Sequence, residues 1–326
     1  MTPLWIGFIA VVLLLLGLDL GVFNRRAHEI STREALAWTA FWIALSLGFN
    51  GLVYLIYEHQ WFGIAAAANH QGGGRKAALE FFTAYIVEKS LSLDNIFVIA
   101  LVFQYFRVPR EQQHRVLFWG ILGALVLRGV MIGFGIALID RFDWIRYVFG
   151  GFLLITAARM AISRDSEIDP QKNLVMRLVR RWFPVADGFR EGRFIVREEG
   201  RLRVTPLLLA LVVVESTDVV FAVDSIPAVL GVTSDGFLVF TSNVCAILGL
   251  RALYFALAAI LHRFRYIQHS LVGVLAFVGV KMIIAEWVHV SGLISLAIIL
   301  GMLLIGLGAS VWADRHDAAD DDDEAP

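Results

Sequence analysis

The sequence predicts an all-α membrane protein of about nine transmembrane helices that contains an inverted repeat of three plus three helices. Three observations carry this reading: an oily composition, a succession of long apolar runs, and self-similarity between the middle and the last third of the chain. The 326 residues are 58% hydrophobic and only 17% charged, with a mean hydropathy of +0.71. Soluble domains sit near 45 to 50% apolar, so no aqueous core needs this much. Because about 20 apolar residues cross a bilayer, there is room for eight to ten spans. One cysteine, Cys245, excludes an intramolecular disulfide and a cysteine-rich metal cluster.

The spans are expected near 4–23, 36–57, 79–106, 116–139, 144–162, 205–230, 237–261, 267–286 and 292–312. The first lacks the basic residues that open a secretory signal and is long enough to cross, so it is read as a retained helix. The sixth contains Pro227, which cannot donate to the carbonyl of Val223, so an interruption is expected beside Asp224. Segment 163–204 is the one long connection and holds ten Lys and Arg residues. It is read as a cytoplasmic loop, either a plain orientation signal or one with an amphipathic helix over 174–183 on anionic lipid. The acidic stretch of 314–326, including Asp320 to Asp323 and Glu324, is expected to be a disordered tail. The whole of 1–326 is one transmembrane domain, with repeat one at about 79–162 and repeat two at about 205–286.

Lys and Arg outside the spans concentrate after the first, third, fifth and seventh helices. By the positive-inside rule the amino terminus lies outside and the carboxyl terminus in the cytoplasm. The repeat is seen in three steps. Ser92-Leu93-Asp94-Asn95-Ile96-Phe97 aligns with Ser216-Thr217-Asp218-Val219-Val220-Phe221. Leu125-Val126-Leu127-Arg128 then matches Leu248-Gly249-Leu250-Arg251, and Gly151, Leu153, Arg159 and Met160 match Gly273, Leu275, Lys281 and Met282. Three spans separate the starting helices, so the copies run in opposite directions, as in secondary transporters with a site at the repeat interface.

The intramembrane charges are the functional signal. Asp19, Glu88, Asp94, Glu215, Asp218 and Asp224 fall inside expected spans, together with Lys89, Arg128, Arg251 and Lys281. Six carboxylates facing lipid would cost roughly 15 to 20 kcal/mol, so they must be paired, protonated or bound to cations. Arg128, Arg251, Lys89 and Lys281 are assigned to structural ion pairs. The excess acids, Asp94, Asp218, Asp224 and Glu88 with Asn95, Glu215 and Asp19, are assigned to a cation site. Carboxylates with Asn95, Ser92, Ser216, Thr217 and Ser225 are hard oxygen donors suited to manganese, calcium or magnesium. Glu88 and Asp94, like Asp218 and Asp224, are six residues apart, so on a straight helix they point about 120 degrees apart. Each pair either meets different neighbours or belongs to a broken helix.

Two other classes fit the same residues. An intramembrane hydrolase would use paired aspartates as acid and base, and a scaffold that assists insertion or metalation of other proteins would use the acids structurally. Neither calls for a prosthetic group or nucleic acid. No P-loop occurs, so ATP is not the expected energy source, and proton exchange on the carboxylates is the economical coupling.

The motifs Leu18-Asp19-Leu20-Gly21-Val22-Phe23, Glu88-Lys89-Ser90-Leu91-Ser92-Leu93-Asp94-Asn95-Ile96-Phe97 and Asp218-Val219-Val220-Phe221-Ala222-Val223-Asp224-Ser225-Ile226-Pro227 resemble the TerC family, in particular its Alx branch. Arg128 and Lys281-Met282 also stand where that family's motifs place them. The resemblance implies a bacterial inner-membrane protein of the LysE-like superfamily that exports manganese, in some members to load secreted metalloproteins; besides the ion and the lipid bilayer, the expected partners are a homo-oligomer or such metalloprotein clients.

Overall fold

The computed structural model describes residues 2–21, 32–64, 70, 72–142, 144–162, 181, 183–186, 188–190, 192–198, 201–257, 266–285, 287–288 and 290–323. The chain is almost entirely helical. Its helices are α1 (Thr2–Gly21), α2 (Thr32–Glu58), α3 (Gly73–Phe106), α4 (Arg110–Arg141), α5 (Ile145–Ile162), α6 (Pro206–Leu230), α7 (Gly236–Leu248), α8 (Leu250–Leu257), α9 (Ile267–Ile284) and α10 (Gly292–Asp323). A short antiparallel hairpin, β1 (Ile195–Glu198) with β2 (Arg201–Val204), leads into α6.

Nine spans were expected; by length and composition the described residues supply fewer. Five helices are long and apolar enough to cross a bilayer: α2, α4, α5, α6 and α10. A sixth arises if α7 and α8, which bend by 40° at Gly249, count together. The apolar parts of α1 and α9 are shorter, Thr2–Gly17 and His269–Ile284. The 34-residue α3 is not among the qualifying helices, and it carries Glu80, Glu88, Lys89 and Asp94 along its length. A helix that brings charges into a bundle is diluted in hydropathy by the residues that give it a purpose.

α3 lies at the centre, packed on α2, α6, α7 and α10, while α4 lies on α6 and α5 on α9. Large apolar side chains face outward, as a bilayer requires and water does not: Val130 and Phe134 on α4 and Ile305 on α10 are each more than 60% exposed. The α5–α9 contact is close because glycines face each other. A Cβ at Gly150 would meet Gly279 O at 2.9 Å and Ile283 Cγ1 at 2.7 Å, and one at Gly279 would meet Gly150 O at 2.9 Å. Small residues bring membrane helices together in this way, where lipid offers no hydrophobic drive for association.

Several local expectations change. α6 continues from Pro206 to Leu230 through Pro227, so the expected interruption beside Asp224 does not occur. Pro227 falls in the last turn, where losing one backbone donor costs little, and its carbonyl accepts from Gly231 N at 2.9 Å. The break lies instead in the seventh span, at Gly249. The acidic residues expected as a tail continue α10 as far as Asp323. Most of the amphipathic helix expected at 174–183 lies outside the described residues, and the hairpin was not anticipated.

Candidate functional site

α3, α4 and α6 bring four predicted residues into one hydrogen-bonded group. Arg128 on α4, 2% exposed, is among the largest fully buried side chains. Its Nη1 donates to Glu88 Oε1 on α3, and Glu88 is itself wholly buried. The other edge of the guanidinium grips Asp218 on α6: Nη2 donates to Oδ1 at 2.8 Å and Nε to Oδ2 at 3.1 Å. This two-pronged geometry is the strongest arrangement a carboxylate can make with a side chain, and only arginine supplies it. Asn95 Nδ2 also donates to Asp218 Oδ1, at 3.2 Å. The Asn95 and Asp218 contact joins the two segments that align as repeats.

Beside this group is a small, partly open pocket of about 20 Å³, lined by Asn95, Ile99, Gly120, Thr217, Asp218 and Phe221 among others. Its walls come from the second half of α3, the first half of α4 and the middle of α6, with Leu250 of α8 closing one side. Asn95, Thr217 and Asp218 are therefore its polar lining in a mostly apolar cleft.

Glu215 stands one turn before Asp218, half-buried, and its Oε2 has no hydrogen-bond partner among the described residues. The space for this carboxylate exists because α4 has glycine at 123: a Cβ there would lie 2.0 Å from Glu215 Oε1. Asp224 faces elsewhere, accepting from Thr156 Oγ1 on α5 at 3.0 Å with the charge of Arg159 nearby. The angular argument for Asp218 and Asp224 thus resolves into two different neighbours on an unbroken helix.

The remaining predicted residues divide. Lys89 Nζ donates to Ala246 O on α7 at 3.1 Å rather than to an acid. Lys281 acts electrostatically on Glu80, and Arg251 is buried on α8. Ser92, Ser216 and Thr217 hydrogen-bond to carbonyls of their own helices. The side chains of Asp19 and Asp94 lie outside the described part of the structure. Among the described residues, no three His, Cys, Asp or Glu side chains form a group that could hold a metal ion. The role of Gly123 was not read from the sequence, although a glycine opposite an intramembrane acid in a long helix was the available signal.

A family model described as the integral membrane protein TerC family matches residues 74–318. The chain belongs to the TerC family. An uncharacterized membrane protein of Myxococcus xanthus is 46% identical over 99% of this chain and 96% of its own length. Alx of Escherichia coli strain K12, whose name describes a candidate membrane-bound redox modulator, is 44% identical over 97% of each chain. Alx of Salmonella typhi is 43% identical over 97% of this chain and 96% of its own length. No solved structure matches. The Arg128 group and the pocket both fall within the region that the TerC model covers.

Proposed function

We propose that this TerC protein is a secondary-type exporter that moves divalent manganese out of the cytoplasm across the bacterial inner membrane, with its amino terminus outside and its carboxyl terminus inside. The observation that carries the reading is the pocket that ends on Asp218, a carboxylate held by a buried guanidinium inside a lipid-facing bundle. A hard cation entering the pocket meets oxygen donors from Asn95, Thr217 and Asp218, with no His or Cys among its lining residues, which suits manganese better than zinc or copper.

Arg128 gives the step its logic. A guanidinium and a metal ion compete for the same two oxygens of Asp218, so the ion displaces Arg128 toward Glu88, which already binds its Nη1. Glu88, Asp218 and Arg128 together carry one negative charge, so a divalent ion together with an ionised Glu215 would bring the site to neutrality, which a low-dielectric site demands. Glu215, one turn before Asp218 on α6, would add a further oxygen donor. Rocking of the two inverted segments would expose the ion to the other side. Secreted metalloproteins are the natural recipients.

The test is Asp218→Asn, expressed at the wild-type level in cells lacking their own manganese efflux. Elevated cell manganese and lost growth in excess manganese are expected. Wild-type protection by the variant would end the assignment.

A further inference from the structure

At the end of the bundle away from the pocket, a second group of titratable side chains is enclosed. Glu80 lies 15 residues before Asn95 on α3, or about 22 Å along the axis. Tyr57, near the end of α2, donates to Asp235 Oδ2 at 2.6 Å. Thr233 Oγ1 donates to Glu80 Oε2 at 2.7 Å and accepts from Asp235 N at 3.2 Å. Asp235 Oδ1 caps α7, accepting from Phe237 N and Leu238 N at 3.0 and 3.3 Å. Into this group the connection before α3 inserts His70, whose side chain is 4% exposed. Its Nδ1 stands 3.7 Å from Asp235 Oδ2 and 3.8 Å from Glu80 Oε2, and its ring meets Tyr57 edge-on at 5.0 Å between centroids. His70 Nε2 is buried without a hydrogen-bond partner among the described residues.

The charged and titratable groups that face His70 come from four helices. Tyr57 comes from α2, Lys76 and Glu80 from α3, Asp235 from the start of α7, and Lys281 of α9 acts on Glu80. Lys76 is 3.7 Å from Glu80 Oε1 but half exposed, so its charge is largely screened. With a neutral imidazole, two enclosed carboxylates stand close together against that weak compensation. One added proton makes both ring nitrogens donors and places a positive charge between the two acids. Burial also pushes the Asp235 carboxyl above its ordinary value.

We propose that His70, Asp235 and Glu80 form a proton-operated clasp that fastens the ends of α2, α3 and α7 together when protonated and releases them when the proton leaves. Its use as the gate opposite the pocket rests on the transport reading; the clasp itself does not.

The test is amide hydrogen exchange of the purified full chain in lipid nanodiscs at pH 5.5 and 7.5, corrected for intrinsic rates. Phe237 and Leu238, whose amides bond to Asp235, are the reporters. Wild type is expected to show severalfold greater protection at pH 5.5 than at pH 7.5. His70→Gln is expected to stay at the lower protection at both pH values, and His70→Lys, which keeps a cation, at the higher. A pH-independent wild type, a pH response that survives His70→Gln, or a His70→Lys variant as unprotected as His70→Gln would each overturn the clasp. The readout is local exchange and involves no flux, so its failure leaves the transport reading standing, and loss of flux leaves the clasp standing.

Discussion

Replacing Gly123 by alanine separates the work of the site from the stability of the fold. The new Cβ would lie 2.0 Å from Glu215 Oε1, 2.5 Å from Cδ and 2.6 Å from Oε2. Ordinary contact begins near 3.4 Å, so the carboxylate must retreat by about 1.4 Å, and it is free to do so because it is the far end of a flexible side chain. Exchanging glycine for alanine inside a helix favours the helix by about 0.5 to 1 kcal/mol, which offsets the cost of moving the side chain. Thermal stability is therefore expected to change by less than about 1 kcal/mol. Displacing a ligating or orienting group by about 1 Å can lower a rate by about a hundredfold, so manganese flux should fall by about tenfold or more. The assay pairs thermal unfolding in detergent with manganese flux in proteoliposomes for the same preparation. Full flux with unchanged stability would refute the placing of Glu215 in the pathway, and lost flux through a collapsed fold would refute the claim that Gly123 merely makes room.

Arg128→Ala leaves Glu88 and Asp218 buried without their cation and should destabilise the protein by about 3 to 5 kcal/mol in thermal or denaturant unfolding, with Glu88→Gln partly restoring it. Gly150→Val should lower stability by about 1 to 3 kcal/mol in thermal unfolding, because the side chain must enter the space of Gly279 O and Ile283. Tyr57→Phe removes the 2.6 Å hydrogen bond to Asp235 and should cost about 1 to 3 kcal/mol in the same measurement. Asp235 has its carboxyl raised by burial, so its protonated form favours folding at low pH and that contribution fades as pH rises through the raised value. Asp235→Asn keeps a good helix cap and should flatten the decline in unfolding temperature as pH rises above about 4.

The helical fold was legible because long apolar runs leave little choice, and the candidate site was legible because charge inside such runs is rare. The pairing of Arg128 with an acid followed from the same reasoning. What the sequence could not tell is that one guanidinium serves both Glu88, 40 residues earlier, and Asp218, 90 residues later. Helical periodicity says which residues share a face, not which helix that face meets; Asp224 turned to Thr156 for that reason. The Tyr57, His70 and Asp235 group escaped notice because its members lie at span ends, where polar residues are ordinary. The hairpin did carry a signal, the polar and apolar alternation through Arg201, Leu202, Arg203 and Val204 after Gly200, but the many charges of that segment point equally to an orientation signal.

Manganese flux into proteoliposomes made from purified protein tests the central claim most directly. Wild type is expected to give saturable flux that other hard divalent ions inhibit, reduced about tenfold or more by Asp218→Asn at equal incorporation. Equal flux through wild type, Asp218→Asn and protein-free vesicles would contradict the account.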